Sequence, residues 1–211
     1  MKLKICGIKD DEALALCQSL GVNYVGLNFV PTSKRRIMQS LDKKRAGEPQ
    51  RVGVFQNQDI EFVCEMAQQY DLDIVQLHGA ETTDDIQAIK QHSKLSIWKA
   101  LSANVYIDKD MTINYCNHCD LILFDNLNPG HGEVIENIDD LEIAIKCVEG
   151  CGVKIGIAGG VKANNIADFV SRYPNAYLLD TASGAERDGV FSGPQTQKLV
   201  ENFNAAQKVM P

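Results

Sequence analysis

The chain is 211 residues long, 45% hydrophobic and 23% charged, which fits one globular domain with a sizeable core. A formal net charge of -7 argues against a general nucleic-acid or membrane-surface binder, while leaving room for a local basic anion site. Seven cysteines is an odd count for a secreted disulfide framework, the opening residues lack a signal-peptide core, and no run approaches the roughly 18 apolar residues of a membrane helix; a reduced, cytoplasmic protein is expected.

The first apolar run, residues 3–6, ends in Cys6, followed at once by Gly7 and a polar, helix-like start at Lys9-Asp10-Asp11-Glu12. A thiol in that place is either a small core hydrophobe or a presented nucleophile or base. Taken alone, it points to the core, where cysteine usually lies. Further short apolar runs follow at 24–29, 51–55, 74–77, 97–101, 121–124, 154–157 and 177–179, making eight in all. Between them lie amphipathic segments at 10–20, 59–70, 82–92, 139–148, 164–172 and 194–206. Thr82-Thr83-Asp84-Asp85 is a helix-start signal, Gly21 a stop, and Pro194 suits a first helical turn. The second and fifth units are weak: residues 41–47 are few and 108–119 show little apolar periodicity, so short or irregular helical segments are expected there.

Strands alternating with helices imply a parallel sheet with covering helices. Eight such units, with no linker or low-complexity stretch between them, predict a single-domain α/β fold over residues 1–211: a closed, parallel, eight-stranded (β/α)8 TIM barrel. The chain is shorter than the roughly 250 residues typical of that fold, so lean loops are expected.

In such a barrel the chemistry sits at the C-terminal strand ends. Those ends read Cys6-Gly7, Asn28 with Ser33-Lys34-Arg35-Arg36, Gln56-Asn57, His78-Gly79, Asp125-Asn126, Ala158-Gly159-Gly160, and Asp180 with Ser183-Gly184. Gly159-Gly160 and Ser183-Gly184 fall in the seventh and eighth units, where bare backbone can present N–H donors to a phosphate. Arg35 and Arg36 are either a solvated basic turn or a carboxylate clamp. His78 could be structural or catalytic. Asp125 follows a buried-looking run, so its carboxyl would be partly desolvated, which suits a general acid; a loop-capping role is the alternative.

Lys4-Ile5-Cys6-Gly7-Ile8, Val52-Gly53-Val54-Phe55, Val75-Gln76-Leu77-His78-Gly79, the Asp125 strand, Ala158-Gly159-Gly160 and the stretch from Asp180 to Glu186 together resemble the phosphoribosylanthranilate isomerase family, in order and over nearly the whole chain. The resemblance implies an Amadori rearrangement in tryptophan biosynthesis. It implies a phosphorylated small-molecule substrate and no metal, nucleotide or other cofactor. It makes Cys6 the general base and Asp125 the general acid. It aligns Arg35 with the substrate's carboxylate and places Gly159, Gly160, Ser183 and Gly184 at its phosphate. His78 and Asp180 occupy matching motif positions as further site candidates. The chain departs from the family pattern at Pro129-Gly130-His131-Gly132, around Arg35, and at Gly189-Val190-Phe191-Ser192-Gly193.

Cys116-Asn117-His118-Cys119 has Cys-x-x-Cys spacing, but Cys147, Cys151 and His131 complete no standard zinc pattern, so ordinary thiols are expected. His131 could touch the substrate from the sixth loop or be a solvated loop residue, the commoner fate of an exposed polar side chain. Two rival readings stand beside the isomerase. One is another phosphosugar barrel, for which Lys99 is the candidate catalytic lysine. The other is a decayed barrel that only binds a phosphorylated ligand or a protein; no partner protein is identifiable.

Overall fold

The computed structural model describes residues 1–102, 109–125 and 138–209, with backbone alone at 138–140. Eight parallel strands close a barrel in chain order: β1 (Lys2–Cys6), β2 (Tyr24–Asn28), β3 (Gln50–Phe55), β4 (Ile74–Leu77), β5 (Ser96–Ser102), β6 (Leu121–Asp125), β7 (Lys154–Ile157) and β8 (Leu178–Thr181). Every expected run is a strand, with ends shifted by a residue or two. The shift matters in β8, which runs through Thr181 and so carries Asp180 inside the barrel wall and not in the loop beyond it.

Strands buried on both faces read as continuous apolar runs. Alternation then splits each run between two cores. Tyr24, Val52, Ile74, Trp98, Leu121 and Leu123 fill the barrel. The residues between them, such as Val25, Val75, Ile97, Ile122 and Phe124, pack outward under the helices. Truncating a leucine such as Leu121 or Leu123 to alanine costs about 2–5 kcal/mol, so these layers hold the wall rigid under whatever sits at its mouth.

The helices are α1 (Asp11–Ser19), α2 (Ile60–Gln69), α3 (Thr83–His92), α4 (Lys109–His118), α5 (Ile138–Glu149), α6 (Ile166–Arg172) and α7 (Gly193–Lys208). Asp10 caps α1 by accepting from Ala13 N at 2.8 Å. Thr82 and Asp85 form a reciprocal capping box at α3, and Pro194 lies in the first turn of α7.

The two weak units part company. The fifth holds α4, a ten-residue helix. The second has no helix at all: residues 41–47 run as coil and turn. A buried guanidinium does the work of a packed helix there. Arg51 is fully buried, with Nη2 donating to Asp42 O at 3.0 Å and Glu48 Oε2 at 2.9 Å, and Nη1 donating to Tyr70 O at 3.0 Å. Lys44 pairs with Asp73 at 2.5 Å in the same strap.

Beyond β8 the chain makes a three-residue 3-10 turn, Ser183–Ala185, then a small hairpin of β9 (Glu186–Arg187) and β10 (Val190–Phe191). Its turn is Asp188-Gly189, with φ of 53° and 78°, the Asp-Gly pair that tight hairpins favour. The sequence reading did not anticipate this hairpin. Among the described residues, no helix is long and apolar enough to cross a membrane.

Candidate active site

Lys4 and Cys6 lie two apart on β1 and so face the same way, into the barrel. A lysine in mid-strand must be paired if it is buried. Lys4 is fully buried, and its Nζ meets Asp180 Oδ2 at 2.7 Å across the β1–β8 register, where the two residues are direct partners. Burial is the largest influence on the Lys4 pKa and works to lower it, but Asp180 and Cys6 together outweigh it and hold the ammonium above its ordinary range. Burial pushes the Asp180 carboxyl up against the pull of Lys4. Among the described residues, Asp180 Oδ1 and Gln76 Oε1, beneath the mouth of the barrel, are buried and have no hydrogen-bond partner.

Cys6 ends β1, half-buried, opposite Gly26 of β2. A Cβ at Gly26 would lie 2.6 Å from Cys6 Sγ, so glycine there makes room for the thiol. Burial pushes the Cys6 thiol up; Lys4 pulls it down, Asp180 pushes it up, and Arg35 pulls it down. The outcome is a thiol held above its usual value with two cations beside it.

Asp125 is the last residue of β6, and His78 follows β4. His78 Nε2 lies 3.4 Å from Asp125 Oδ2. Burial, followed by the charge of Lys4, pushes His78 down to about 4. The imidazole is therefore neutral near pH 7. Gln76 Nε2 lies 3.4 Å from His78 Nδ1, and with Gln76 as donor the ring's N–H falls on Nε2, toward Asp125. The β4 loop itself is tied down by Glu81, which accepts from Asn57 N and Gly79 N at 2.8 Å each.

Lys99 belongs to this tie and not to the site. Trp98 and Ala100 face the barrel, so Lys99 faces outward, where Nζ meets Gly79 O at 2.6 Å and Glu81 Oε2 at 2.9 Å. The candidate lysine of the rival phosphosugar reading is thus turned away from the mouth.

Arg35 reaches back over the loop after β1. Its Nε donates to Glu186 Oε1 at 2.5 Å and its Nη2 to Glu186 Oε2 at 2.6 Å. Gly7 has φ of +91°, and a Cβ there would lie 2.8 Å from Arg35 Cδ, so the glycine both turns the chain and clears a path for the arginine stem. Cys6 and Asp125 both act on the Arg35 charge, which places the guanidinium within electrostatic reach of both.

After β7, Gly159 and Gly160 adopt φ of 87° and 75°. Asn165 pins this turn, donating to Gly160 O at 3.0 Å and accepting from Lys162 N at 2.7 Å. Thr181 Oγ1 donates to Val161 O at 2.6 Å and accepts from Gly184 N at 3.1 Å, tying the β7 and β8 loops together. Gly184 therefore spends its N–H internally, and a Cβ on it would lie 2.4 Å from Val161 O. Its contribution is close approach and not a donor. The N–H groups of Gly160 and Ser183 make no hydrogen bond among the described residues.

Cys6, Arg35, His78, Asp125, Gly159, Gly160, Asp180, Ser183 and Gly184 thus all lie at one end of the barrel or just beneath it. His131 and residues 129–137 lie outside the described residues. Cys116 and Cys119 are buried on the helix layer, their thiols pushed up to about 12 by burial first. Among the described residues, no group of three or more His, Cys, Asp or Glu could hold a metal ion. The sequence reading assigned no role to Lys4, Gln76, Gly26 or Glu186. For Lys4 and Gln76 a signal was present: each is polar within an apolar strand, two residues before a candidate on the same face.

Comparison with known proteins bears on the family and the fold. Residues 3–203 match the family model described as N-(5'-phosphoribosyl)anthranilate isomerase. The N-(5'-phosphoribosyl)anthranilate isomerase of Brevibacillus brevis is 35% identical, with 98% of this chain and 95% of the relative covered. The phosphoribosyl anthranilate isomerases of Thermotoga maritima and Thermus thermophilus superpose with TM-scores of 0.82 and 0.80, each at 25% identity over 97% of this chain and 99% of theirs. The chain belongs to the N-(5'-phosphoribosyl)anthranilate isomerase family, (β/α)8 isomerases of tryptophan biosynthesis.

Proposed function

We propose that the chain converts N-(5-phosphoribosyl)anthranilate to 1-(2-carboxyphenylamino)-1-deoxyribulose 5-phosphate by general acid–base catalysis. Asp125 donates a proton to the ribose ring oxygen, and the ring opens to an iminium ion. Cys6, as thiolate, removes the C2 proton. The resulting enolamine tautomerises to the ketone, so the substrate is oxidised at C2 and reduced at C1 with no external electron acceptor. The observation that carries the reading is that one mouth of the barrel holds a thiol at the end of β1 and a carboxyl at the end of β6, with Lys4 acting on the thiol and neutral His78 lying 3.4 Å from the carboxyl.

The raised Cys6 thiol fits this order of events. Before ring opening a proton sits on sulfur, which spares the site a buried anion. The iminium then brings a positive charge close to the thiol. At about 4 Å and an effective dielectric of about 20, such a charge favours the thiolate by about 4 kcal/mol. The thiol then gives its proton to solvent water at the barrel mouth, and the base is thereby activated by the intermediate it must deprotonate. Arg35 would hold the anthranilate carboxylate, and the Gly159-Gly160 and Ser183-Gly184 turns the phosphate, with Gly160 N and Ser183 N as donors and Gly184 as the residue that lets the turns meet. The seven cysteines, all free, support a reducing, cytoplasmic setting.

The test follows the fading of substrate fluorescence on conversion. Wild type should turn over. Cys6→Ala and Asp125→Asn should each lose about 10²–10⁴-fold in kcat with KM nearly kept. Equal turnover by wild type and Cys6→Ala would overturn the mechanism, and failure of wild type to rescue a tryptophan auxotroph would overturn the substrate.

A further inference from the structure

We infer that Glu186 is a positioning residue for the Arg35 clamp: a side-on ion pair, anchored at both ends, fixes where the guanidinium meets the substrate's carboxylate. This rests on the reading above, in which Arg35 takes that carboxylate. The two bonds, 2.5 Å from Nε and 2.6 Å from Nη2, are parallel and use the fork geometry that matches a carboxylate best. The side chains of Arg35 and Glu186 are only 14% and 11% exposed, so the pair is largely shielded from water and salt.

Each partner is held by its own backbone. Glu186 opens the Asp188-Gly189 hairpin and pairs with Phe191 across it. Ser192 N donates to Ala185 O at 2.9 Å, closing the hairpin onto the 3-10 turn that follows β8. Arg35 N donates to Ser33 Oγ at 3.2 Å, and Lys9 Nζ donates to Lys34 O at 2.7 Å, fixing the arginine loop against the loop after β1. The stem passes over Gly7, where no side chain would fit. An arginine free to rotate pays for its rotamers each time it binds; one already locked by a neighbour does not. Displacing Glu186 would strand a shielded carboxylate, so the pair is built to persist while substrate binds.

The experiment compares steady-state kinetics of wild type, Glu186→Gln, Glu186→Asp, Arg35→Lys and the Arg35→Lys/Glu186→Gln double variant, with thermal melts as a check on folding. Inorganic phosphate serves as a competitive inhibitor that reports on the other end of the site. Glu186→Gln should raise KM about tenfold with kcat within about threefold. Its Ki for inorganic phosphate should stay within about twofold of wild type, because the phosphate turns do not use the pair. Glu186→Asp keeps the charge but falls a methylene short, and its KM should be intermediate. In the Arg35→Lys background the Glu186→Gln change should add little. An unchanged KM in both Glu186 variants overturns the inference. So does a parallel rise in Ki and KM, which would make the pair a brace for the phosphate turn. A fall in KM overturns it too, by making Glu186 a competitor for the clamp. Absence of turnover in wild type sinks the parent reading and this one with it; turnover in wild type with unaltered variants sinks this one alone.

Discussion

Two lysines are buried in strands of this barrel, each against one carboxylate, and the two are not alike. Lys99 faces outward from β5 and its shell is closed: Glu81 at 2.9 Å, Gly79 O at 2.6 Å, Leu77 O at 3.4 Å, and the Tyr115 ring 5.6 Å away. Glu81 in turn accepts two backbone N–H groups. Lys4 faces inward from β1 and meets Asp180 at 2.7 Å, while Asp180 Oδ1 has no hydrogen-bond partner among the described residues and the half-buried Cys6 thiol lies in the field of both charges. The Lys99 network spends all three ammonium donors on the fold. One that serves chemistry keeps capacity unspent, because reacting groups must change charge.

If the contrast holds, the same substitution should have different consequences at the two sites. Lys99→Met leaves Glu81 charged, buried and without its counter-ion; about 3–5 kcal/mol of stability should be lost. At roughly 2–4 °C per kcal/mol for a chain of this size, the melting temperature should fall by about 6–20 °C. Activity measured well below that temperature should stay within about threefold of wild type. A hundredfold loss of kcat with an unmoved melt would reverse the assignment.

Lys4→Met should come next in size and show in the rate. Removing one preorganised charge beside a group that becomes anionic typically costs about 10²–10³ in kcat. Lys4 pulls the Cys6 thiol down, so without it the thiol rises further, and the basic limb of the kcat/KM profile should move to higher pH. Asp180 is already pushed up by burial and can take a proton once unpaired, so the melt should move less than in Lys99→Met. An unshifted pH profile would remove Lys4 from the chemistry.

This contrast was half legible in the amino-acid sequence. The barrel was readable because parallel strands buried on both faces leave eight apolar runs, and because loops after strands are where a barrel keeps its polar residues. Cys6, His78, Asp125 and the glycine turns stood out as polar or small residues at strand ends. The resemblance of Lys4-Ile5-Cys6-Gly7 and Gln76-Leu77-His78-Gly79 to a known family then raised Cys6 from core filler to candidate base. What could not be read was pairing across strands. Lys4 and Asp180 are 176 residues apart and meet only through the β1–β8 closure. Lys99 looked like a strand-end candidate because the sequence does not say which face of β5 turns inward; Trp98 and Ala100 decide that. The missing second helix was hidden for a similar reason, since the Arg51 strap that replaces it joins Asp42, Glu48 and Tyr70 by contacts that follow no local period.

His78 gives the finest test of the comparison, because it feels both lysines. Burial is the largest reason that its pKa lies at about 4 against the usual 6.5, with Lys4 the next cation acting on it and Lys99 after Lys4. The folded state therefore favours neutral His78, and the stability this represents is complete above pH 6.5. As pH falls below that value the unfolded chain takes up a proton that the folded one refuses. Stability should then drop by about 3 kcal/mol by pH 4, on the scale of 1.36 kcal/mol for each unit of displaced pKa. Urea unfolding at pH 7.5 and 4.5 should show the gap between wild type and His78→Gln narrowing by about 2–3 kcal/mol on acidification. Curves that stay parallel would mean that His78 titrates normally and that its contact with Asp125 is an ion pair. Lys4→Met relieves more positive charge than Lys99→Met does, so it should raise the His78 pKa further, and an NMR titration of the imidazole would separate them. Equal shifts in the two variants would mean that His78 does not distinguish the inward lysine from the outward one.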